Sequence, residues 1–399
     1  MKARWNVRRL GDLLKVQNGY AFDSKEFNPS KGMPLIRIRS LKAGVETETR
    51  FSGTYDNKYV VNAGDLLIGM DGEFGCYAWK GEPALLNQRV CRLQGFDLQL
   101  VPRFLFYGVN SYLKAIEDVT GFTTVKHISS KQILDIDFPI PPLPEQQRIV
   151  TLLDEAFDGI ATAKANAEKN LQNARELFEL QLATSLRPGD QGWVDASIGD
   201  VCTLKSGTTV PVDIERQNGD VPYVKVAEMT MPANRDGVTT SIRFINQLDI
   251  KPSWLIPAGA VIFPKRGGAI MTNKKRLALV DICVDLNIMS VIPSEKLTSE
   301  FLYLYFLAVD MRKLGTGSSI PQINNYDIAP LLISFPASKA RQLEITDALR
   351  DIETECQTLV ALYDRKLAAL DDLKKALLQY AFTGQLTAKK ADELVEAVA

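Results

Sequence analysis

Two long stretches of the chain repeat apolar residues in steps that alternate between four and three. The first starts near Pro144, a residue type suited to the first turn of a helix, and its apolar positions are Ile149, Leu153, Ala156, Ile160, Ala163, Ala167, Leu171, Ala174 and Phe178. The second follows Ser338, a residue type that caps helices, and its positions are Ile345, Leu349, Ile352, Cys356, Leu359, Tyr363, Leu367, Leu370, Leu377 and Tyr380. These heptads predict two helices of about 40 residues, each roughly 60 Å long, which end at "LRPGDQG" and "FTGQ".

The two heptad patterns differ in the size of their apolar residues. Alanine recurs in the first helix, whereas the second helix carries larger side chains. This difference favours direct packing of the helices on each other as an antiparallel coiled coil with pseudo-twofold symmetry. The alternative is that each helix packs only on its own domain.

The rest of the sequence is an internal repeat. A shift of 188 residues superposes Trp5 on Trp193, Gly11-Asp12 on Gly199-Asp200, Gly19 on Gly207 and Pro34 on Pro222. A shift of about 195 then matches "NAGDLLIG" (62–69) with "PAGAVIFP" (257–264), and "TTVKHIS" (123–129) with "GSSIPQIN" (317–324). The two copies therefore share an architecture and differ most between these anchors.

Each copy combines short β-branched or aromatic runs, glycine turns and one longer helical stretch. The helical stretches are "FLFYGVNSYLKAIED" (104–118) and "FLYLYFLAVDMRKL" (301–314). This mixture predicts an α/β or α+β domain of about 150 residues in each copy. The predicted boundaries are 1–143 for the first domain, 144–187 for the first long helix, 188–337 for the second domain, 338–386 for the second long helix and 387–399 for a tail.

Length and composition narrow the class of protein. The chain has 399 residues, of which 46% are hydrophobic and 24% charged, so it is long enough for two or three domains. No apolar run approaches the ~20 residues that span a bilayer, and the N-terminal "MKARWNVRRLGDLLKV" has no apolar signal core. We therefore expect a cytoplasmic protein. Because the net charge is −1, any DNA contact must come from locally clustered basic residues.

Cysteine and histidine usage argues against a metal site. The five cysteines, at positions 76, 91, 202, 283 and 356, form no C-x-x-C pair, and we interpret them as reduced and mostly buried. A single histidine, His127, is too few for a multi-histidine site, and the usual structural zinc arrangements need paired cysteines. We expect no bound metal.

The common catalytic motifs are missing from the sequence. It contains no P-loop, no G-x-S-x-G and no Rossmann fingerprint. The proline-rich "PIPPLPE" (139–145) lacks the acid or amide and the aromatic residue of the tetrapeptide with which adenine methyltransferases hold a base. We therefore expect a protein that reads a ligand rather than one that catalyses a reaction.

One group of candidate DNA contacts follows from basic and amide residues at turns. The stretch "FPKRGGAIMTNKKRLALV" (263–280) contains no acid, and its paired glycines would let the backbone approach a phosphate. Amides pair with adenine edges and arginine with guanine edges. The candidates are Lys265, Arg266, Lys274, Lys275, Arg276, Asn87, Gln88 and Arg89. A solvated hairpin face or a polar strand end explains the same residues without DNA.

A second group lies at matching places in the two copies. Its hydroxyl, amide and basic candidates are Thr123, Thr124, Lys126, His127, Ser318, Ser319, Gln322 and Asn324. Arg37 and Lys225 are equivalent across the repeat, and each is a candidate for a phosphate or structural contact. His127 is equally well explained as a structural histidine, because a general base would need a partner that the sequence does not show.

The chain resembles the DNA-specificity subunit of Type I restriction-modification systems over nearly its whole length. The resemblance rests on "PLPEQQRIVTLLDEAF" (142–157), on "LLQYAFTGQLT" (377–387), and on the pairs Gly11-Asp12 with Gly19 and Gly199-Asp200 with Gly207. The second copy departs from the family pattern, because "ASKARQLEI" (337–345) stands where the family often repeats P-x-x-E-Q-x-x-I.

This resemblance implies two target recognition domains, each of which reads one half of an asymmetric, bipartite site in double-stranded DNA, with the paired helices as a spacer. It implies that two adenine methyltransferase (modification) subunits dock on the helices and carry S-adenosylmethionine. Whether two restriction subunits that use ATP and Mg also join stays open. No cofactor is expected on this chain. The other hypotheses are a structural coiled-coil adaptor without DNA specificity, and a fused methyltransferase or nuclease.

Overall fold

The computed structural model describes residues 5–42, 44, 47–120, 126–188, 192–315, 321–386, 393 and 395. The chain divides into two compact units: unit 1 contains residues 1–168 and 365–399, and unit 2 contains residues 169–364. Each unit therefore holds one globular part and one half of each long helix. Four candidate DNA contacts lie outside the described residues, namely Thr123, Thr124, Ser318 and Ser319.

Unit 1 begins with a mixed β and α region. Its strands and helices, in chain order, are β1 (Asn6–Arg9), β2 (Lys15–Asn18), β3 (Phe27–Asn28), β4 (Met33–Ile36), α1 (Ile38–Leu41), β5 (Arg50–Phe51), β6 (Val60–Val61), β7 (Leu66–Gly69), β8 (Gly75–Ala78), β9 (Ala84–Leu86), β10 (Val90–Gln94), α2 (Pro102–Val119), α3 (Ser130–Leu134) and β11 (Asp137–Ile140). The first long helix, α4 (Leu143–Ser185), starts in this unit.

Unit 2 has the same order of major elements. Its strands and helices are β12 (Trp193–Ser197), α5 (Ile198–Val201), β13 (Cys202–Ser206), β14 (Val221–Val224), β15 (Phe244–Ile245), β16 (Leu255–Ile256), β17 (Val261–Pro264), β18 (Arg276–Leu277), β19 (Ile282–Val284), β20 (Ile288–Pro293), α6 (Ser299–Ala308), α7 (Asn325–Ile328) and β21 (Leu332–Pro336). The second long helix, α8 (Lys339–Phe382), starts here.

The sheets of the two units match, except that β3 of unit 1 has no counterpart among the described strands of unit 2. In unit 1 the described strands pair in the orders β1-β11, β2-β10-β7-β8 and β3-β5-β4-β9-β6, and in unit 2 in the orders β12-β21, β13-β20-β17-β18 and β15-β14-β19-β16. Even the parallel pair β4 with β9 has its counterpart in β14 with β19. The predicted internal repeat of α+β domains is therefore confirmed.

Several predicted heptad residues of both long helices, together with the neighbouring Leu182 and Leu373, are buried where the helices pack together, and most of the other heptad residues are half-buried. In unit 1 the buried positions are Leu153, Ile160 and Ala167 on α4 and Leu370, Leu373 and Leu377 on α8. In unit 2 they are Ala174 and Leu182 on α4 and Leu349 and Cys356 on α8. The N-terminal half of α4 thus meets the C-terminal half of α8 and vice versa, which confirms the predicted antiparallel pairing.

Two details of the helix predictions are wrong. The helix predicted over 301–314 ends at Ala308, because Asp310 caps a separate 3-10 turn by accepting a hydrogen bond from the backbone N of Arg312 at 3.1 Å. Leu359, predicted to lie in the heptad seam, is 37% exposed. The preceding heptad residue, Cys356, is buried.

The end of α8 completes the core of unit 1. The ring of Phe382 packs against those of Phe104 and Phe138, with centroids 4.9 and 6.1 Å away. Gly108 on α2 leaves room for it, since a Cβ there would lie 2.3 Å from the ring. The sequence "YAFTGQ" therefore serves both to end the helix, through Gly384 at φ 69°, and to fill the core.

One buried glutamine joins each long helix to its globular part. Gln146 is completely buried, accepts a hydrogen bond from the backbone N of Val101, and donates to the carbonyls of Gln99 and Pro141, all at 2.8 Å. Gln342 makes the same three bonds in unit 2, with Thr298, Lys296 and Pro336. The glutamine of "PLPEQQRIV" (142–150) is thus retained in the second copy, where the surrounding residues differ.

The cysteines are unpaired, as expected, and Cys202 is the one that is only half-buried. Within the described ranges, none of the helices combines the length and apolar character needed to cross a membrane. In the same part of the chain, no group of three or more His, Cys, Asp or Glu side chains is placed to hold a metal ion.

Candidate nucleic-acid interface

The loop after β7 is fixed by three backbone hydrogen bonds in unit 1. The backbone N of Met70 donates to the carbonyl of Arg89 at 3.0 Å, and the carbonyl of Met70 accepts from Ile128 at 2.9 Å. The backbone N of Gly72 donates to the carbonyl of Lys126 at 2.9 Å. These bonds bring the end of β7, the start of β10 and the segment before α3 to one place.

Unit 2 repeats this arrangement after β17. The backbone N of Lys265 donates to the carbonyl of Asn287 at 2.8 Å, and the carbonyl of Lys265 accepts from Ile323 at 2.9 Å. The backbone N of Gly267 donates to the carbonyl of Pro321 at 2.8 Å. An isolated β-bridge joins Asp71 to His127 in unit 1 and Arg266 to Gln322 in unit 2. The same backbone positions therefore carry different side chains in the two units.

In unit 1 these positions hold a charged cluster. Asp71 contacts Arg89 through Oδ2 at 2.9 Å and the His127 ring through Oδ1 and Nδ1 at 2.6 Å. The Asp71 side chain is only 16% exposed, whereas those of Arg89 and His127 are 58% and 52% exposed. The largely buried carboxylate thus contacts two exposed nitrogen-bearing side chains. His127 therefore has an acidic partner, which the sequence did not reveal.

In unit 2 the corresponding positions hold a cation and amides. Arg266 is exposed, and Gln322 donates through Nε2 to Oδ1 of Asn324 at 2.6 Å. Asn324 in turn donates through Nδ2 to the hydroxyl of Tyr326 at 2.8 Å. This chain of amides ends at an exposed aromatic residue and presents groups that read base edges.

Three of the predicted basic contacts in unit 2 turn inward. Lys275 is 2% exposed and donates to Oδ1 of Asn273 and the carbonyl of Val309, at 2.8 and 2.6 Å. Burial lowers the pKa of Lys275 to about 8. Burial, and then the neighbouring Arg266, also lower the pKa of Lys265, which donates to Oγ of Ser206 at 2.7 Å.

Arg276 is the third of these, and it is half-buried. It donates to the carbonyls of Asn234 and Lys275, at 3.2 and 2.8 Å. Among these three residues, we withdraw Lys275 from the candidate DNA contacts, because its buried ammonium group bonds to the backbone carbonyl of Val309. Lys274, its neighbour, is exposed and stays a candidate.

The residues of "NQR" take different roles. Asn87 is buried, its carbonyl accepts from the backbone N of Val90 at 2.9 Å, and that carbonyl faces Gly19. Gln88 is exposed beside it. Of these two amides, Gln88 is therefore better placed to reach a base, whereas Asn87 stabilises the turn between β9 and β10.

The remaining candidates are tied to the protein to different degrees. Lys126 donates through Nζ to the carbonyl of Glu117 at 2.7 Å. Arg37 and Lys225 follow the matching strands β4 and β14, as the repeat predicts. Lys225 pairs with Glu215 at 3.1 Å and lies over the Tyr223 ring, so a structural role suits it better than a phosphate contact.

Sequence reasoning missed Asp71 and Asn287. The signal was present for Asp71, because the shift of 195 that matches His127 with Gln322 also matches Asp71 with Arg266. No such signal was present for Asn287. The carbonyls of Arg89 and Asn287 accept matching backbone hydrogen bonds, and these two residues are 198 positions apart rather than 195. An insertion of three residues therefore hid the equivalence.

Comparisons with known proteins agree with this architecture. A family model described as "Type I restriction modification DNA specificity domain" matches residues 2–172 and again residues 190–362. The Type I restriction enzyme EcoBI specificity subunit of Escherichia coli is 39% identical over 183 residues, which are 46% of this chain and 38% of that protein. The MjaVIII specificity subunit of Methanocaldococcus jannaschii is 21% identical over 96% of this chain and 93% of its own length.

Solved structures share the fold. A chain from a study of complex assembly and conformational transition of the type I R-M system superposes with a TM-score of 0.71, at 19% identity, over 96% of this chain and 98% of that one. The HsdS subunit from Thermoanaerobacter tengcongensis superposes with a TM-score of 0.60, at 18% identity, with the same coverage of both chains. With two matched segments that together span most of its length, the chain belongs to the Type I restriction modification DNA specificity domain family.

Proposed function

We propose that this chain is the sequence-reading subunit of a Type I restriction-modification complex, in which each unit recognises one half of an asymmetric, two-part DNA site. The observation that carries the proposal is the repeated backbone frame after β7 and β17, which presents Asp71 in one unit and Arg266 in the other. Two equal frames with unequal side chains suit two readers of different bases.

The proposal includes partner subunits. Two adenine methyltransferase subunits dock on the long helices, and restriction subunits join them where the system also cleaves DNA. Exposed leucines on these helices support a protein partner, since Leu177 and Leu180 on α4 and Leu359 and Leu362 on α8 are each more than one third exposed. The chemistry then belongs to the partners, and this chain has no catalytic role.

The cofactors follow the same division. S-adenosylmethionine, ATP and Mg are bound by the partner subunits, and this chain holds none of them. The complex acts on chromosomal DNA, which places it in the cytoplasm of a bacterial or archaeal cell.

A map of N6-methyladenine in genomic DNA tests the proposal. Long-read sequencing would compare the native host with a strain that lacks this open reading frame. We expect the deletion to remove methylation from one asymmetric motif made of two parts and a fixed gap. Unchanged methylation at every motif, in a host that transcribes the gene and its methyltransferase partner, would contradict the proposal.

A further inference from the structure

We propose that three matching positions in each unit form its base-reading centre and that they make the two units read different bases. The residues are Asp71, Arg89 and His127 in unit 1, and Arg266, Asn287 and Gln322 in unit 2. This inference rests on the proposed function and adds to it the residues that set the specificity. Asp71 acts as a positioning residue, and the exposed nitrogen groups around it contact the bases.

The first argument is the identity of the backbone frame. Each of the six residues lies at or next to a backbone hydrogen bond that has its counterpart in the other unit, from the carbonyls of Arg89 and Asn287 to the bridges at His127 and Gln322. Because the frames agree, the side chains project from equivalent places. A difference in reading must then come from the side chains themselves.

The second argument is the chemistry of the unit 1 cluster. One carboxylate, Asp71, contacts both Arg89 at 2.9 Å and the His127 ring at 2.6 Å. The largely buried Asp71 fixes the direction of both side chains while more than half of each stays exposed. A directed arginine is the group that pairs with the O6 and N7 atoms of guanine.

The third argument is the change of charge at the bridge position. Where unit 1 has the acidic residue Asp71, unit 2 has the exposed, basic Arg266. At the positions of Arg89 and His127, unit 2 has the amides Asn287 and Gln322. Asn287 is itself held, because its Nδ2 donates to Oδ1 of Asp285 at 2.6 Å. Unit 2 therefore offers guanidinium and amide groups in a different order, which suits a different half-site.

The test uses the full chain with its native partner subunits and reads the methylated motif genome-wide. The variants are Asp71→Asn and Arg89→Lys in unit 1, and Arg266→Lys and Gln322→Leu in unit 2. The control is Asp135→Asn, which removes a different carboxylate of unit 1 that is also paired with an arginine, Arg9, at 3.5 Å. The control should leave the motif unchanged.

We expect the unit 1 variants to relax base preference in one half of the motif and the unit 2 variants to relax it in the other half. For the arginine variants the expected loss of discrimination is roughly 10-fold to 100-fold at the affected base. A merely structural role would lower methylation evenly at all sites and leave the motif as it was. An unchanged motif in all four variants, an even loss without a change of motif, or changes by both sets in the same half would overturn the inference.

The outcome separates this inference from the proposed function. If the unaltered chain directs no two-part motif, the proposed function fails. If it does direct one and the variants do not change the bases read, the function stands and the reading centre lies elsewhere.

Discussion

Replacing Gln146 with alanine is expected to destabilise unit 1 by about 2–4 kcal/mol, because three backbone groups lose their partner at once and one of the three bonds is fully buried. The backbone N of Val101 and the carbonyls of Gln99 and Pro141 each bond to this side chain at 2.8 Å. Gln146 itself is completely buried, and its bond to the carbonyl of Pro141 is buried, whereas the bonds to Val101 and Gln99 are partly buried. Urea denaturation of the full chain would give the change in stability, and hydrogen exchange at Val101 would show that the loss is local to this junction.

The neighbouring residue provides the control. Gln147 is exposed on the same turn of α4, so Gln147→Ala should change the free energy of unfolding by less than about 0.5 kcal/mol. Gln342→Ala should repeat the loss in unit 2, with hydrogen exchange now faster at Thr298, whose backbone N bonds to Gln342 at 2.8 Å. Equal stability of Gln146→Ala and Gln147→Ala would show that the glutamine does not hold the junction.

Gly19→Ala is the second substitution with a large expected effect, at least about 3 kcal/mol. A Cβ at Gly19 would lie 2.1 Å from the carbonyl oxygen of Asn87 and 2.6 Å from that of Leu86. Both obstacles are backbone atoms held by hydrogen bonds, from the backbone N of Tyr20 to Leu86 and from that of Val90 to Asn87, so they cannot turn aside as a side chain would. Gly207 faces the carbonyl of Asp285 at the same 2.1 Å in unit 2, and Gly207→Ala should behave alike.

Gly159 is a suitable comparison for both glycines. It lies on the exposed side of α4, and nothing is within 4 Å of a Cβ at that place. Gly159→Ala should stabilise the helix by up to about 1 kcal/mol, because alanine has the higher helix propensity. Thermal unfolding of the three variants would decide the matter, and a Gly19→Ala chain as stable as the unaltered one would refute the close approach.

The long helices and the repeat were predictable because their signals are periodic or matched in sequence. Steps of four and three identified α4 and α8 within a few residues of Leu143–Ser185 and Lys339–Phe382. The glycine anchors were equally informative. Gly19 and Gly207 occupy matching positions of the repeat, and at both of them a backbone carbonyl oxygen leaves no room for a Cβ. Such features depend on neighbours along the chain or on a repeat of them, and both can be read from sequence.

The candidate site was less predictable because it depends on which segments meet in space. Basic character suggested Lys275, yet its ammonium group lies against the carbonyl of Val309, 34 residues further along. Conversely, Asp71 is acidic, and its place in the site depends on its contacts with Arg89 and His127, which lie far from it in the sequence. Residue type alone does not tell a surface cation from one that binds the protein's own backbone.

The most direct test of the central claim, two unequal readers in one chain, is an exchange of one globular part. Residues 188–337 would be replaced with the equivalent segment of a family member whose methylated motif is known, and the methylated motif of the chimera would be mapped with the native partner subunits. The account predicts that one half of the motif becomes that of the donor while the other half is retained. A chimera that methylates DNA with both halves changed, or with neither half changed, would contradict it.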